Sequence, residues 1–223
     1  AIPLRLVGSE MCIRDSHGLG DTQGEVRLYH VDGTLVHTFK GHNRLVWAVA
    51  VTPDGQHIIS GGGYDKLVKV WSVATKSLVS TCAGHTHWVL ALAAMPDGQR
   101  ILSGGVDDTV RVWLFDGTHQ NTFKLHTHNV NALVALPDNQ HALSGSFDKT
   151  VKLFNVNDGA VLRTFPHHTH WVISLSLLPD GLRFVSGSLD GTACIVYHGL
   201  ACGTQAEKDA KLHKEREPRP PPG

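Results

Sequence analysis

The chain has 223 residues, 41% of them hydrophobic, and its 20 basic residues balance its 20 acidic residues. This balance argues against the strong positive field with which many proteins bind nucleic acid or a membrane surface. The sequence has no apolar run near the ~20 residues of a membrane span, and we expect no signal peptide. Four cysteines without a C-x-x-C pair indicate a reducing compartment, so we expect an intracellular protein, cytoplasmic or nuclear.

Residues 1–16 do not fit the pattern of the rest of the chain. The stretch LVGSEMCIRDS at positions 6–16 resembles one reading-frame translation of a transposase adapter used in sequencing libraries. We therefore interpret residues 1–16 as a non-native leader and exclude them from fold reasoning. A natural leader is the alternative, and contiguous genomic coding through residue 16 would establish it.

Residues 17–40 have the pattern of the end of an earlier repeat unit. A strand at 26–29 ends in Tyr29, a turn follows at Asp32-Gly33, and an outer strand covers 35–39. The pattern gives no first half for this unit, so we predict that the unit is partial.

The chain from residue 41 to residue 199 repeats one pattern four times, in copies at 41–83, 84–124, 125–166 and 167–199. Each copy has a histidine, an apolar run, a Pro-Asp turn, a Ser-Gly pair, an aspartate and a third strand. The histidines stand at positions 42, 85, 126 and 168, and each precedes its serine by 18 residues. A fixed period of about 42 residues predicts a repeat architecture.

Each copy predicts four short strands. In the second copy these cover 89–95, 100–104, 109–115 and 119–123, and Pro96-Asp97-Gly98 makes the first turn. Proline presets φ in such a turn, and glycine accepts a positive φ. The first copy has an extra glycine within 61–63, which predicts a bulge before Asp65. The fourth copy stops after its third strand.

Residues 200–223 form a tail of different composition. A charged stretch is followed by a proline-rich end, which favours an extended polyproline conformation over a strand. We predict that the tail is disordered, and a Pro-x-x-Pro site for an SH3-type partner is the alternative.

Over about residues 24–198, the chain resembles the WD-repeat β-propeller family. The resemblance lies in the Gly-His pairs, in the aspartate before the third strand and in the Val-x-Val-Trp at the end of that strand. The resemblance implies an all-β fold, a ring of blades with four antiparallel strands each. This chain then holds about four blades plus a partial leading blade. The pattern predicts 17 strands, whereas a seven-bladed ring of this family needs about 28. We therefore predict an incomplete ring.

The resemblance also implies a hydrogen-bonded network inside each blade. Buried histidine, serine and aspartate side chains must find partners, which supports the same interpretation. The predicted members are His42, Ser60, Asp65, Trp71, His85, Ser103, Asp107, Trp113, His126, Ser144, Asp148, His168, Ser186 and Asp190. Phe154 and Val196 replace the tryptophan in the last two copies, so we expect shorter networks there.

Three catalytic or ligand-binding hypotheses compete with this structural one. Serine, histidine and aspartate are the components of a hydrolase triad, but four identical spacings without a G-x-S-x-G motif favour a scaffold. Pairs such as His85 and His87 invite a metal hypothesis, but no cysteine or carboxylate recurs at ligand spacing. The glycines at 61–63 lack the Lys-Ser/Thr of a phosphate loop. We predict no catalytic residue, no metal and no cofactor.

The resemblance implies a non-catalytic scaffold that binds other proteins or peptides, with no nucleic acid, membrane or small-molecule substrate as partner. In the family, the loops between blades and the loops before the third strands open on one rim. The candidate rim residues are Arg44, Tyr64, His87, Val106, His128, Phe147, His170 and Leu189. The alternatives are a substrate-receptor or signalling adaptor module of a larger multidomain protein, and an enzyme built on a propeller.

Overall fold

The computed structural model describes residues 24–200 and, before them, the backbone of residues 4–5 and 11–15. These residues form strands and loops, and no helix among them is long and apolar enough to cross a membrane. Apart from the two short upstream strands and Leu200, the predicted leader at 1–16 and the predicted tail at 200–223 lie outside the described residues.

The strands form five antiparallel sheets, each of which is one blade. The leading blade contains β1 (Leu4–Arg5), β2 (Met11–Asp15), β3 (Glu25–His30) and β4 (Leu35–Lys40). The first blade contains β5 (Val46–Val51), β6 (His57–Gly62), β7 (Leu67–Ser72) and β8 (Ser77–Ala83). The second blade contains β9 (Val89–Ala94), β10 (Arg100–Gly105), β11 (Val110–Leu114) and β12 (His119–Phe123). The third blade contains β13 (Val130–Ala135), β14 (His141–Ser146), β15 (Val151–Asn155) and β16 (Val161–Phe165), and the fourth contains β17 (Val172–Leu177), β18 (Arg183–Ser188) and β19 (Ala193–Tyr197).

The predicted all-β, four-stranded repeat is confirmed. Strands β3 to β19 are the 17 strands that the pattern indicates, and the fourth blade has three strands among the described residues. The leading blade differs from the expectation of two strands, because β2 pairs with β3 and β1 pairs with β2. The repeat pattern carries no signal for these two strands.

The turn between the first two strands of each repeat follows from its sequence. The third turn residue has a positive φ in all four copies, with values of 69° at Gly55, 65° at Gly98, 61° at Asn139 and 67° at Gly181. Glycine and asparagine accept this left-handed conformation more readily than other residues. The preceding aspartate closes the turn, and the Gln99 amide donates to Asp97 Oδ1 at 2.8 Å.

Neighbouring blades approach closely because the second strand carries a glycine at the contact. A Cβ at Gly104 would lie 2.6 Å from Cγ1 of Val130, the residue at which β13, the first strand of the next blade, begins. The same clash would occur between Gly61 and Val89 and between Gly145 and Val172, at 2.7 Å and 2.8 Å. The Ser-Gly pair therefore sets the distance between blades.

The hydrophobic core lies between blades. The described residues form four buried clusters, and each joins two consecutive blades. In one of them, Ile59 and Val70 of the first blade pack with Val89 and Trp113 of the second. No blade buries its apolar face alone, as expected for a repeat protein.

The described blades form an open arc. Ile195 of β19 is 64% exposed, whereas the equivalent Val70, Val112 and Leu153 of the earlier blades are at most 1% exposed. Each of those three is covered by the blade that follows it, and the leading blade does not cover Ile195. The predicted incomplete ring is therefore confirmed for the described residues.

Candidate functional site

Each of the first two complete blades contains a four-membered hydrogen-bonded network. In the second blade, His85 Nδ1 lies 2.8 Å from Asp107 Oδ2, and His85 Nε2 lies 2.7 Å from Ser103 Oγ. Trp113 Nε1 donates to the same hydroxyl at 2.7 Å. The first blade repeats these contacts through His42, Ser60, Asp65 and Trp71, all at 2.7 Å.

The donors and acceptors of this network run in one direction. The indole N–H of Trp113 donates to the Ser103 hydroxyl, which donates to His85 Nε2, and His85 Nδ1–H donates to the ionised carboxylate of Asp107. The Thr86 amide donates to the same carboxylate oxygen of Asp107 at 3.0 Å. The network thus fixes the loop before the inner strand to the turn before the third strand.

The last two blades depart from this pattern in different ways. His126 contacts Asp148 and Ser144 at 2.7 Å each, and Phe154 in the tryptophan position offers no donor. In the fourth blade, His168 contacts Asp190 at 3.0 Å and Ser186 at 2.8 Å. His167 Nε2 adds a further contact to the Ser186 hydroxyl at 2.9 Å. The network is shorter in the third blade, whereas an extra histidine joins it in the fourth.

The network aspartates are held ionised. Burial disfavours the charge on Asp148, but hydrogen bonds from His126 and Thr150 outweigh it and hold the pKa of the carboxyl well below its usual value. The balance is the same at Asp107, where His85, Thr86 and Thr109 supply the hydrogen bonds. Each network therefore contributes stability that depends on pH.

Acid should remove the contribution of these carboxylates. A lowered folded-state pKa gives stability that is complete above the unfolded value of about 3.9 and is lost as the pH falls below it. We expect Asp148→Asn to be less stable than the wild type at neutral pH, with the difference shrinking at about pH 3. Chemical denaturation of both proteins at each pH measures this, and a pH-independent difference would contradict it.

The geometry does not make the repeated serine, histidine and aspartate an accessible hydrolytic centre. Ser60, Ser103, Ser144 and Ser186 are 0% exposed. In the first two blades, the hydroxyl that a substrate would have to reach already accepts a tryptophan N–H. These residues hold loops together inside the blades.

Backbone hydrogen bonds join the two loops that carry the candidate rim residues. The Val106 amide donates to the Trp88 carbonyl at 2.9 Å, and the Phe147 amide to the Asn129 carbonyl at 3.0 Å. The Leu189 amide donates to Trp171 in the same way at 3.0 Å. Both loops of each blade therefore open at the same end of the arc.

The structure brings most of the candidate rim residues into two aromatic groups. In one, Arg44 lies 5.0 Å above the Tyr64 ring, and Tyr64 and His87 contact Trp88. The other group joins His128 to Phe147 at 5.6 Å, Phe147 to Trp171 at 4.0 Å in a stacked pair, and His170 to Trp171 at 5.1 Å. Leu189 is 54% exposed beside the second group.

A bulge at the start of the inner strand, the first strand of a blade, aims one more side chain at this end in each of the first to fourth blades. The pairing of β5 with β6 shifts between Val46 and Ala48, which places Trp47 at the bulge. The equivalent bulged residues are Leu90, Asn131 and Ile173. Bulges re-aim side chains in this manner near binding sites. The bulge predicted before Asp65 lies instead on the facing strand β5, and the extra glycine of the first copy leaves room for the indole, because a Cβ at Gly63 would lie 2.6 Å from Trp47 Nε1.

All four bulged residues line one cleft of about 450 Å³ at this end of the arc. The other residues that line this cleft are His87, Trp88, Val106, Asn129 and Phe147. Trp47 stacks on Trp88 with 5.4 Å between ring centroids, so two blades form one aromatic wall. None of the nine lining residues is Asp, Glu, Lys or Arg, and the surface that they form is predominantly apolar.

Three histidines at this end present a donor. The Trp88 amide donates to His87 Nδ1 at 2.8 Å, the Asn129 amide to His128 Nδ1 at 2.8 Å, and the Trp171 amide to His170 Nδ1 at 2.9 Å. Because Nδ1 accepts the backbone N–H, the neutral ring carries its proton on Nε2. At His128 this assignment turns the NH2 of the Asn129 side chain, whose amide lies 3.1 Å from Nδ1, toward the ring. Three consecutive blades thus each supply one imidazole N–H donor.

Sequence reasoning included His87, Val106 and Phe147 but missed the other six residues of the cleft. Trp47, Leu90, Asn131 and Ile173 stand inside inner strands, where an unbroken alternation would direct their side chains toward a neighbouring blade. The position of the bulge follows only from the paired backbone.

Comparison with known protein families identifies the repeats of this chain. A family model described as "WD domain, G-beta repeat" matches residues 33–72, 76–113, 117–155 and 159–196. These four matches together cover well over half of the chain. No curated protein matches it.

Proposed function

Because the chain belongs to the WD40 repeat family, we propose that it is a non-catalytic scaffold that binds an extended peptide segment of another protein. Repeats of this family generally mediate protein–protein interaction, and domains built from them are typically non-catalytic. The single observation that supports the peptide site is the apolar, aromatic-walled cleft at the loop end of the arc.

The composition of the cleft favours an apolar anchor residue. Trp47, Trp88 and Phe147 offer ring faces, and no Lys or Arg side chain lines the cleft to neutralise a phosphate or a carboxylate. Aromatic side chains in desolvated pockets dominate the binding energy of protein interfaces. We therefore propose that one hydrophobic or aromatic side chain of the peptide enters the cleft.

The three imidazole donors favour an extended backbone beside that anchor. His87, His128 and His170 occur once in each of three consecutive blades and can donate Nε2–H to carbonyls along a bound peptide. A helical peptide would already use its own carbonyls in internal hydrogen bonds. The donors therefore fit an extended segment better than a helix.

Peptide selection followed by substitution tests this proposal. Peptides selected from a display library on the wild-type chain should share an apolar anchor. Trp88→Ala and Phe147→Ala should each weaken the selected peptides by roughly 2 kcal/mol, about 30-fold in Kd. Isothermal titration calorimetry measures both effects.

Leu78→Ala is the matched control. Leu78 is an apolar residue that is 46% exposed on the outer strand β8, outside the cleft. Its replacement should leave the Kd unchanged. Selected peptides that keep full affinity for both cleft variants would overturn the proposed site.

A further inference from the structure

The fourth blade differs from the other three at three positions that converge on Ser186. The residue before the network histidine is His167, the residue four after the network aspartate is Cys194, and Val196 takes the tryptophan position. The earlier copies have Gly41, Gly84 and Leu125 at the first position and Lys69, Arg111 and Lys152 at the second. Two groups that can bind a metal thus appear together, in the blade that lacks the aromatic ring.

The three groups lie close together in the fold. His167 Nε2 and His168 Nε2 are 2.9 Å and 2.8 Å from the Ser186 hydroxyl, and Cys194 is the direct cross-strand partner of Ser186. One ligand atom from each of His167, His168 and Cys194 lies within 4.8 Å of the other two. Val196 occupies less space than the tryptophan of the first two blades, and its side chain has no N–H to donate to the Ser186 hydroxyl.

The surroundings of His168 resemble those of a metal-ligating histidine. Its Nδ1 contacts Asp190 Oδ2 at 3.0 Å, and its side chain is fully buried. A carboxylate on the far nitrogen fixes the ring and increases the basicity of the nitrogen that faces the metal. In the other blades, Nε2 of the equivalent histidine contacts only the serine hydroxyl. In the fourth blade, the His167 imidazole and the Cys194 thiol also lie close to His168 Nε2 as possible metal ligands.

The chemistry of the set favours zinc. Two imidazoles and one thiolate suit Zn²⁺, which binds nitrogen at about 2.0–2.1 Å and sulfur at about 2.3 Å. The three atoms would draw together around the ion, and the Ser186 hydroxyl would give up its bonds to the two imidazoles. The Cys194 thiol proton would leave to solvent as the thiolate binds.

We propose that His167, His168 and Cys194 form a three-ligand zinc site, with water as the fourth ligand. The bound ion fastens β19 to the loop before β17, whereas in the first two blades the tryptophan N–H links the third strand to that loop indirectly, through the serine hydroxyl. The site lies within the fourth blade and is separate from the cleft, so it does not rest on the proposed peptide binding.

Cobalt provides a direct readout of the thiolate. We expect the reduced, metal-free full-length chain to bind one equivalent of Co²⁺ with a thiolate-to-cobalt charge-transfer band, and Zn²⁺ to abolish that band. Cys194→Ser should remove the band and lower the zinc affinity by at least about 100-fold, because the only soft ligand is lost. Cys82→Ser, which alters a buried cysteine of the first blade, should leave both unchanged.

His167→Gln separates metal binding from a hydrogen-bonding role. Glutamine keeps an N–H donor for Ser186 but does not replace an imidazole ligand. We expect this variant to lose one-equivalent zinc binding while its circular dichroism and metal-free melting temperature stay close to those of the wild type. Absence of the band in the wild type, its persistence in Cys194→Ser, or undiminished zinc binding by His167→Gln would each overturn the proposal.

Discussion

Replacing Trp113 by alanine is expected to lower the free energy of unfolding by about 3–5 kcal/mol. Trp113 is 0% exposed and packs with Val68, Val70 and Cys82 of the first blade as well as with its own strands. Its indole N–H also donates to Ser103. The variant therefore opens a cavity between two blades and breaks a buried network at the same point.

Trp113→Phe separates these two effects. The third blade already has a phenylalanine at this position, and Phe154 is fully buried there. The phenylalanine variant keeps most of the packing and loses the N–H donor, so we expect a loss of about 1–2 kcal/mol. Urea denaturation measures both variants. Equal losses in the two variants would show that the hydrogen bond, and not the packing, dominates, which would contradict this account.

Replacing Asp107 by alanine is expected to cost about 2–4 kcal/mol. Asp107 accepts hydrogen bonds from His85 Nδ1, from the Thr86 amide and from the Thr109 hydroxyl, the last at 2.8 Å. Removal of the carboxylate leaves a buried imidazole N–H and two loop donors without their acceptor. An unsatisfied buried group is more costly than the average net value of a hydrogen bond.

Asp116→Ala is the control for this substitution. Asp116 lies in the turn after the third strand of the same blade, where its exposed side chain caps the Thr118 amide at 2.8 Å. We expect a much smaller loss of stability from this variant, because the Asp116 side chain is solvated and its removal leaves no buried group without a partner. Thermal unfolding should separate the two variants, since 1 kcal/mol corresponds to about 2–4 °C for a chain of this size. Similar melting temperatures would show that the Asp107 network is not a major source of stability.

Most of the fold could be predicted from the fixed period of the repeat. The fixed distances between His85, Ser103 and Asp107 define a unit of four strands, and the glycine after Ser103 allows the next blade to approach. These features depend on local sequence and on spacing, so one copy explains the others. The turn at Gly98 is predictable for the same reason, because its backbone conformation selects the residue.

Only three of the nine residues that line the cleft were predictable. The loop residues Val106 and Phe147 follow from their places before the network aspartates. Trp47 and Ile173 enter the cleft only because the first strands of their blades bulge, and a bulge leaves no mark in the alternation of apolar side chains along a strand. His167 and Cys194 are 27 positions apart, and only the pairing of β18 with β19 brings them together.

The indole N–H signals of the five tryptophans test the proposed binding cleft most directly. Trp47 and Trp88 line the cleft, whereas Trp71 and Trp113 are buried in the blade networks. In ¹H–¹⁵N spectra of the full chain with the tightest selected peptide, we expect the Trp47 and Trp88 indole signals to shift and the Trp71 and Trp113 signals to stay in place. A peptide that binds without moving the Trp47 and Trp88 signals would contradict the assignment of the cleft as the docking site.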